Sequence, residues 1–209
     1  MTTELVDWQN EPGIKATVAP DFTSVKVAGV RENNTYWNDN PIDDYTSGVS
    51  AIPGNILNSG ALDFDLAPEC DNAGKNCSFG IGTGYKGFVG IRNTTGESVK
   101  IGIIHDDNLS PNNLTIMVEG SNNSGIIRRY LQPDLLPANL PHHFRLLWET
   151  NSLSVKVDHS IILEPIPIDG VGIGVTFAAS ARYKNDAVTL NFRDINFSWG
   201  SVVTPQYSQ

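Results

Sequence analysis

The stretch from Leu140 to Ser180, LPHHFRLLWETNSLSVKVDHSIILEPIPIDGVGIGVTFAAS, constrains the fold more than any other part of the chain because its hydrophobic register is continuous. Phe144, Leu146 and Trp148 share one parity. Leu153, Val155 and Val157 repeat it after a short connection at Glu149 to Ser152, and Val171, Ile173, Val175 and Phe177 repeat it again. Side chains on a strand point alternately to opposite faces, so this pattern predicts three consecutive strands of a half-buried antiparallel sheet. Asp158 and His159 fall between two of these runs and read as hairpin-tip residues.

Further alternating segments extend the prediction. They are Thr23 to Val30, GALDFDLAP (Gly60 to Pro68), Phe79 to Gly84, Phe88 to Asn93, Ser98 to Asp106, Leu114 to Gly120, Ser124 to Tyr130 and Ala187 to Trp199. Between them lie Gly- and Asn-rich connections of the kind hairpins require. LQPDLLPANLP, with three prolines, is expected to cross the sandwich edge with no more than a helical turn. Roughly ten to twelve strands without long crossover helices imply two antiparallel sheets packed face to face. The expected architecture is an all-β jelly-roll sandwich, one domain over residues 1–209, with an irregular segment over about 1–22 and a tail at 202–209.

Charge narrows the partners. A formal net charge of −9 with 14 Lys and Arg disfavours a phosphate backbone or an anionic membrane surface, since both need clustered cations. The expectation is therefore no nucleic acid, no membrane insertion, and a neutral polysaccharide or glycoconjugate as a compatible ligand; oligomeric state is left open. Cys70 and Cys77 flank a turn-rich CDNAGKNC segment whose spacing fits neither a zinc ribbon nor a thioredoxin motif, so a local disulfide is expected. Asn-x-Ser/Thr sequons occur at Asn33, Asn76, Asn93, Asn108, Asn113, Asn122 and Asn196. They would carry glycans in a secreted eukaryotic chain and mean nothing in a bacterial or phage one. No apolar signal region or membrane span is read in the sequence.

Several of these words, in this order, resemble the concanavalin A-like lectin and glucanase superfamily, of legume-lectin and laminin-G type. HHFR with its hairpin and the VGIGVTFAAS strand are similar to its "HH-x-R" and "VGxxAS" strands. LDFDLAP followed by KGFVGIRN, SVKIGIIHDDNLSPNNLTIMVEG and INFSWGS fall in the order of its "LAP", "GGYLGLFN", metal-loop and "SWSF" segments. The resemblance covers roughly Leu62 to Ser201 and implies a sandwich that binds carbohydrate, at an extracellular or particle surface. It also carries departures. Positions that hold metal-ligating acids in that family read Gly102 and Ile104, its histidine reads Asn113, and its sugar-binding Asp aligns near Gly60. Hydrogen and hydrocarbon cannot donate to a hard cation, so the paired metal site is expected to be absent. Gly87, which in the family lets a saccharide approach the backbone, and Asn108 are retained.

Candidate site residues follow from chemistry as well as resemblance. Asp106, Asp107 and Asn108 gather side-chain oxygens at a loop that could hydrogen-bond sugar hydroxyls or hold one calcium ion, with Glu119 as the nearby bidentate acid; a solvated Asx-rich turn is the simpler alternative. Asp63 and Asp65 leave the same face of one strand about 7 Å apart and could do acid/base glycoside chemistry, or form a polar row facing solvent. His142 and His143 are adjacent on a strand and cannot chelate one ion together. Of the aromatics outside clear core positions, Tyr36, Trp37, Tyr85, Tyr130 and Tyr183, Trp37 among Asn34, Asn38, Asp39 and Asn40 is the best for stacking on a sugar ring; Trp148 and Trp199 read as core. Glycines at 80, 82, 84, 87, 90, 102, 172 and 174 would leave either a ligand trough or close sheet packing.

Three functions fit: a non-catalytic carbohydrate-binding module with no cofactor beyond that calcium; a glycosidase or lyase using Asp63 and Asp65; and a structural or adhesive surface domain.

Overall fold

The computed structural model describes residues 3–9, 12–32, 47–53, 59–81, 84–93, 98–106, 112–122, 125–149, 152–167 and 172–199. These residues form strands and turns only. The first half of the chain gives β1 (Thr3–Gln9), β2 (Ile14–Val18), β3 (Val25–Val30), β4 (Ser47–Pro53), β5 (Gly60–Ala67), β6 (Glu69–Cys70), β7 (Cys77–Ser78), β8 (Gly80–Ile81) and β9 (Gly84–Asn93). The second half gives β10 (Ser98–Asp106), β11 (Asn113–Asn122), β12 (Gly125–Pro137), β13 (His142–Glu149), β14 (Ser152–Val157), β15 (Ser160–Pro167), β16 (Gly172–Ala181) and β17 (Ala187–Trp199).

Two antiparallel sheets result. One has seven strands in the order β1-β4-β16-β9-β10-β11-β12; the other has eight, seven in the order β15-β14-β13-β5-β17-β3-β2 and β8 paired with β17, while β6 and β7 form a separate two-stranded hairpin. Strands distant in sequence sit side by side, and the all-β jelly-roll sandwich expected from the sequence is what forms. The core lies between the sheets, where Leu62, Phe64 and Leu66 of β5 and Phe144, Leu146 and Trp148 of β13 meet Val89, Ile101, Ile103, Val175 and Phe177 of the facing sheet. Phe64 organises it, stacking on Phe144 at 5.1 Å and meeting Phe177 and Phe192 edge-on at 6.1 and 5.8 Å. Such aromatic pairs add about 0.5–1.5 kcal/mol each beyond area burial.

The alternation read in the sequence is therefore real, but the boundaries differ in four places. Two strands, β1 and β2, occupy the segment expected to be irregular. Each lies at the edge of its sheet, where only one side needs a partner and the alternation can be weak. LQPDLLPANLP contributes most of its residues to β12, which runs to Pro137, instead of forming a crossing connection. β12 is also an edge strand, so a proline without an N–H leaves no ladder bond unmade on its open side. The same reasoning explains β15, SIILEPIP, which makes four strands of the three expected between Leu140 and Ser180; its prolines sit at the edge of the eight-stranded sheet. Phe79 to Gly84, expected as one strand, yields only the two-residue β8 and the start of β9.

Local chemistry finishes the scaffold. Asp158 and His159 have φ of 48° and 70°, the two left-handed central residues of a tight hairpin turn between β14 and β15, as their placement predicted. Cys70 and Cys77 form a disulfide with a 2.08 Å bond. Within that loop Asp71 Oδ1 accepts the Ala73 and Lys75 amides at 3.1 and 2.9 Å, and Asn76 Nδ2 donates to Oδ2 at 2.7 Å. Arg31, 1% exposed, donates from Nη1 to the carbonyls of Ala181 and Arg182 at 2.5 and 3.1 Å, fastening the end of β3 against the end of β16.

Candidate functional site

The outer face of the eight-stranded sheet is built by the polar parity of four central strands. On β5, Asp63 and Asp65 alternate with the buried Leu62, Phe64 and Leu66, so both carboxylates leave the face away from the core. β13 supplies their partners by register, Arg145 opposite Asp63 and His143 opposite Asp65. His143 Nδ1 lies 2.7 Å from Asp65 Oδ1, and its Nε2 is 3.5 Å from Asp63 Oδ1. Arg145 Nη1 is also 3.5 Å from Asp63 Oδ1, an oxygen buried from solvent that accepts no hydrogen bond. The imidazole thus stands between the two carboxylates, in the space a glycosidic oxygen or an attacking water would need.

The parity continues to Glu69, beyond the end of β5. Its Oε1 accepts from Lys26 Nζ of β3 at 2.5 Å, and this ion pair, helped by a Thr189 hydrogen bond and the charge of Arg193, holds the Glu69 carboxyl below its usual range. The disulfide hairpin is thereby anchored to the face. On β17, Arg193 stands in register with Asp65 but takes no part in that pair, because the carboxylate turns to His143 on the other side. Among the described residues Arg193 makes no ion pair, and its side chain is exposed.

A groove of about 410 Å³ opens beside Arg193, with Lys26, Asn191, Thr17 and Ser24 as its polar lining and residues 18–20, Val25 and Phe192 as its apolar lining. Its shape has two causes. The pairing of β17 with β5 passes from Arg193↔Asp65 to Asn196↔Asp63, so two residues of β17 oppose one of β5, a bulge that re-aims the neighbouring side chain. Asp194 in this bulge has φ of 50°, and the Ile195 amide donates to the Thr23 carbonyl at 3.0 Å, stitching the bulge to the β2–β3 turn. The turn is pinned in turn by Phe22, another left-handed residue at φ 58°, whose ring stacks on Phe197 at 5.5 Å and meets Phe177 at 6.3 Å. Asp21 closes the loop by accepting from the Thr23 hydroxyl and amide at 2.8 and 3.2 Å, which lowers its pKa.

The expected site residues do not converge. Asp63 and Asp65 belong to the eight-stranded sheet, whereas Tyr85, Gly87 and Asp106 belong to β9 and β10 of the other. Tyr85 pairs with His105 and Asp106 with Gly84 in the backbone ladder. Trp37, Asp107 and Asn108 lie outside the described residues. Glu119 stands opposite Lys100, six residues along β10 from Asp106 and thus about 20 Å away, too far to share an ion with it. Gly87 faces inward: a Cβ there would meet Leu190 Cδ1 at 1.9 Å, so the glycine serves sheet packing and not ligand approach. The glycine rows likewise split, with Gly87 turned to the core while Gly90 and Gly102 lie on the outer face of the seven-stranded sheet, near a small apolar cluster of Met117 and Ala178. Among the described residues no three His, Cys, Asp or Glu side chains gather as a metal-binding set.

His142 and His143 point to opposite faces. His142, 3% exposed, donates from Nε2 to the Pro137 carbonyl at 2.8 Å and meets Asp158 Oδ2 at 2.6 Å, while Asp158 Oδ1 accepts the His143 amide at 2.9 Å. It is a structural tie between β13 and the turn after β14. Arg193 and Asn191, missed in the sequence reading, left one signal there: in LNFRDINF the apolar spacing changes from two residues at Leu190 and Phe192 to three at Ile195, which marks the bulge.

No protein-family model and no curated protein matches the sequence. Solved structures match its fold along nearly the whole chain. A Bacteroides ovatus mixed-linkage glucan GH16 protein in complex with product superposes with a TM-score of 0.58 at 8% identity, covering 94% of this chain and 94% of that one. A Bacillus licheniformis β-glucanase gives 0.57 at 10% identity, covering 95% and 92%, and an alginate lyase from Klebsiella pneumoniae gives 0.56 at 10%, covering 89% and 84%. The fold is the concanavalin A-like jelly-roll sandwich that the sequence resemblance implied.

Proposed function

We propose that the chain is a non-catalytic carbohydrate-binding module acting at an extracellular or particle surface, where the Cys70–Cys77 disulfide persists and exposed sequons such as Asn76 and Asn196 are open to glycosylation. The observation that carries the choice of binding over catalysis is His143 seated between Asp63 and Asp65. The carboxylate pair at strand spacing is engaged by neighbouring side chains, His143 contacting both members and Arg145 lying 3.5 Å from Asp63. The ligand class is supported by the fold, found in a glucanase, a mixed-linkage glucan protein and an alginate lyase. A groove within the ordinary size range of small-ligand sites, its largely apolar lining edged by Arg193, Lys26 and Asn191, supports it too. The test is binding to a broad glycan array together with reducing-sugar release from mixed polysaccharides. Glycan binding without sugar release is the expected result; silence on the array would sink the reading.

A second reading, a glycosidase or lyase, is favoured by Asp63, whose buried Oδ1 accepts no hydrogen bond and could receive a proton or a substrate group. Product release that disappears in both Asp63→Asn and Asp65→Asn would establish it in place of the first.

A further inference from the structure

The outer face of the eight-stranded sheet commits two of its cations to carboxylates, Arg145 to Asp63 and Lys26 to Glu69, while the His143 imidazole hydrogen-bonds Asp65. Arg193 is left over. It sits on the rim of the groove with its register partner Asp65 turned away, and Glu69, already bound to Lys26, is the carboxylate whose charge it meets. Asn191, 7% exposed, presents its amide at the base of the same groove, donating to the Ala67 carbonyl at 3.4 Å. Hydroxyls of Thr17 and Ser24 and the committed Lys26 complete the wall. Two non-glycine residues held in left-handed backbone, Phe22 and Asp194, flank the Ile195–Thr23 hydrogen bond that joins the bulge to the β2–β3 turn beside this groove. Strain of that kind persists where the surroundings over-determine it and clusters at ligand clamps.

We propose that this groove binds a saccharide bearing a carboxylate, such as a uronic acid residue. Arg193 takes the carboxylate through two parallel N–H donors, and Asn191, Thr17 and Ser24 take ring hydroxyls. A planar guanidinium matches a carboxylate in two-point geometry as a lysine ammonium does not. The proposal rests on the carbohydrate-binding reading and names the ligand class and place of its site.

The experiment is calorimetric titration of the full chain with a defined oligouronate, a neutral oligoglucoside of equal length and a sulfated oligosaccharide. It is run on the unaltered protein, Arg193→Ala, Arg193→Lys, and Lys156→Ala on the same sheet as control. The expected result is preference for the oligouronate, a loss of affinity of at least tenfold in Arg193→Ala, a partial loss in Arg193→Lys, and none in Lys156→Ala. Because Arg193 is exposed, all variants should melt as the parent does, so a loss reads as lost binding. Oligouronate binding unchanged in Arg193→Ala would overturn the placement of the site while leaving the module's function intact. Preference for the neutral or the sulfated oligomer would overturn the carboxylate assignment. Failure of all three would overturn this inference, and silence extending to the glycan array would overturn the function with it.

Discussion

The imidazole Nδ1 of His143 donates to Asp65 Oδ1 at 2.7 Å across the β5–β13 pair, where the two residues are direct register partners. Both side chains are partly open to solvent, at 46% and 36% exposure, so the pair is screened and modest. A double-mutant cycle of His143→Ala and Asp65→Asn, read by urea unfolding, should give a coupling of about 0.2–1 kcal/mol that shrinks in high salt.

Its neighbour on the strand should behave otherwise. His142 is buried, and removing its ring strands the Asp158 carboxylate and the Pro137 carbonyl. His142→Phe should cost about 1–3 kcal/mol in the same assay, well above the cost of His143→Ala. Equal effects would contradict the opposite-face assignment.

Gly87→Ala tests the inward reading of that glycine. The added methyl would lie 1.9 Å from Leu190 Cδ1 and 3.1 Å from the Ala178 carbonyl. Overpacking of this kind costs about 1–3 kcal/mol. Shortening the obstructing side chain, in Gly87→Ala with Leu190→Val, should recover part of the loss. If Gly87→Ala instead melts normally and only weakens glycan binding, the residue faces a ligand.

Acid should destabilise the fold through three carboxylates. Asp21 is held low by the Thr23 hydroxyl, Glu69 by Lys26, and Asp71 by the Lys75 amide, from ordinary values of 3.8, 4.5 and 3.8. A depressed folded pKa contributes stability that is complete above the unfolded pKa and lost as pH falls through the folded one. The melting temperature should therefore change little on account of these groups from pH 7 to 5, then fall below about pH 4.5. Lys26→Met should remove the Glu69 share of that fall.

Reduction of Cys70–Cys77 should lower stability by about 2–3 kcal/mol at most, because the loop it closes is short. The Asp71 hydrogen bonds hold the same loop without the bond. Melting with and without reductant, and in the Cys70→Ser, Cys77→Ser variant, checks this; outright unfolding would give the disulfide a larger part than the loop's own network leaves it.

The central strands were legible because burial on one face writes itself as period two. GALDFDLA, SVKIGIIHD and AVTLNFRDINFSW became β5, β10 and β17 with nearly the expected bounds. Edge strands escaped, since β15 and the end of β12 contain prolines that argue against a strand until one knows that the side they leave open needs no partner. Sites were less legible still. Asp63 and Asp65 do leave one face, but their contacts with His143 and Arg145 come from a strand some eighty residues away, set by register. The groove depends on a turn, a bulge and a third strand meeting, and only the broken spacing before Ile195 hinted at it.

Gly60 pairs in register with Trp148, and a Cβ at Gly60 would sit 2.3 Å from the indole ring. The two positions therefore share one volume. In a lineage of this chain they should drift as a unit, a small residue at 60 persisting as long as the indole does and a larger one becoming tolerable only after 148 has shrunk.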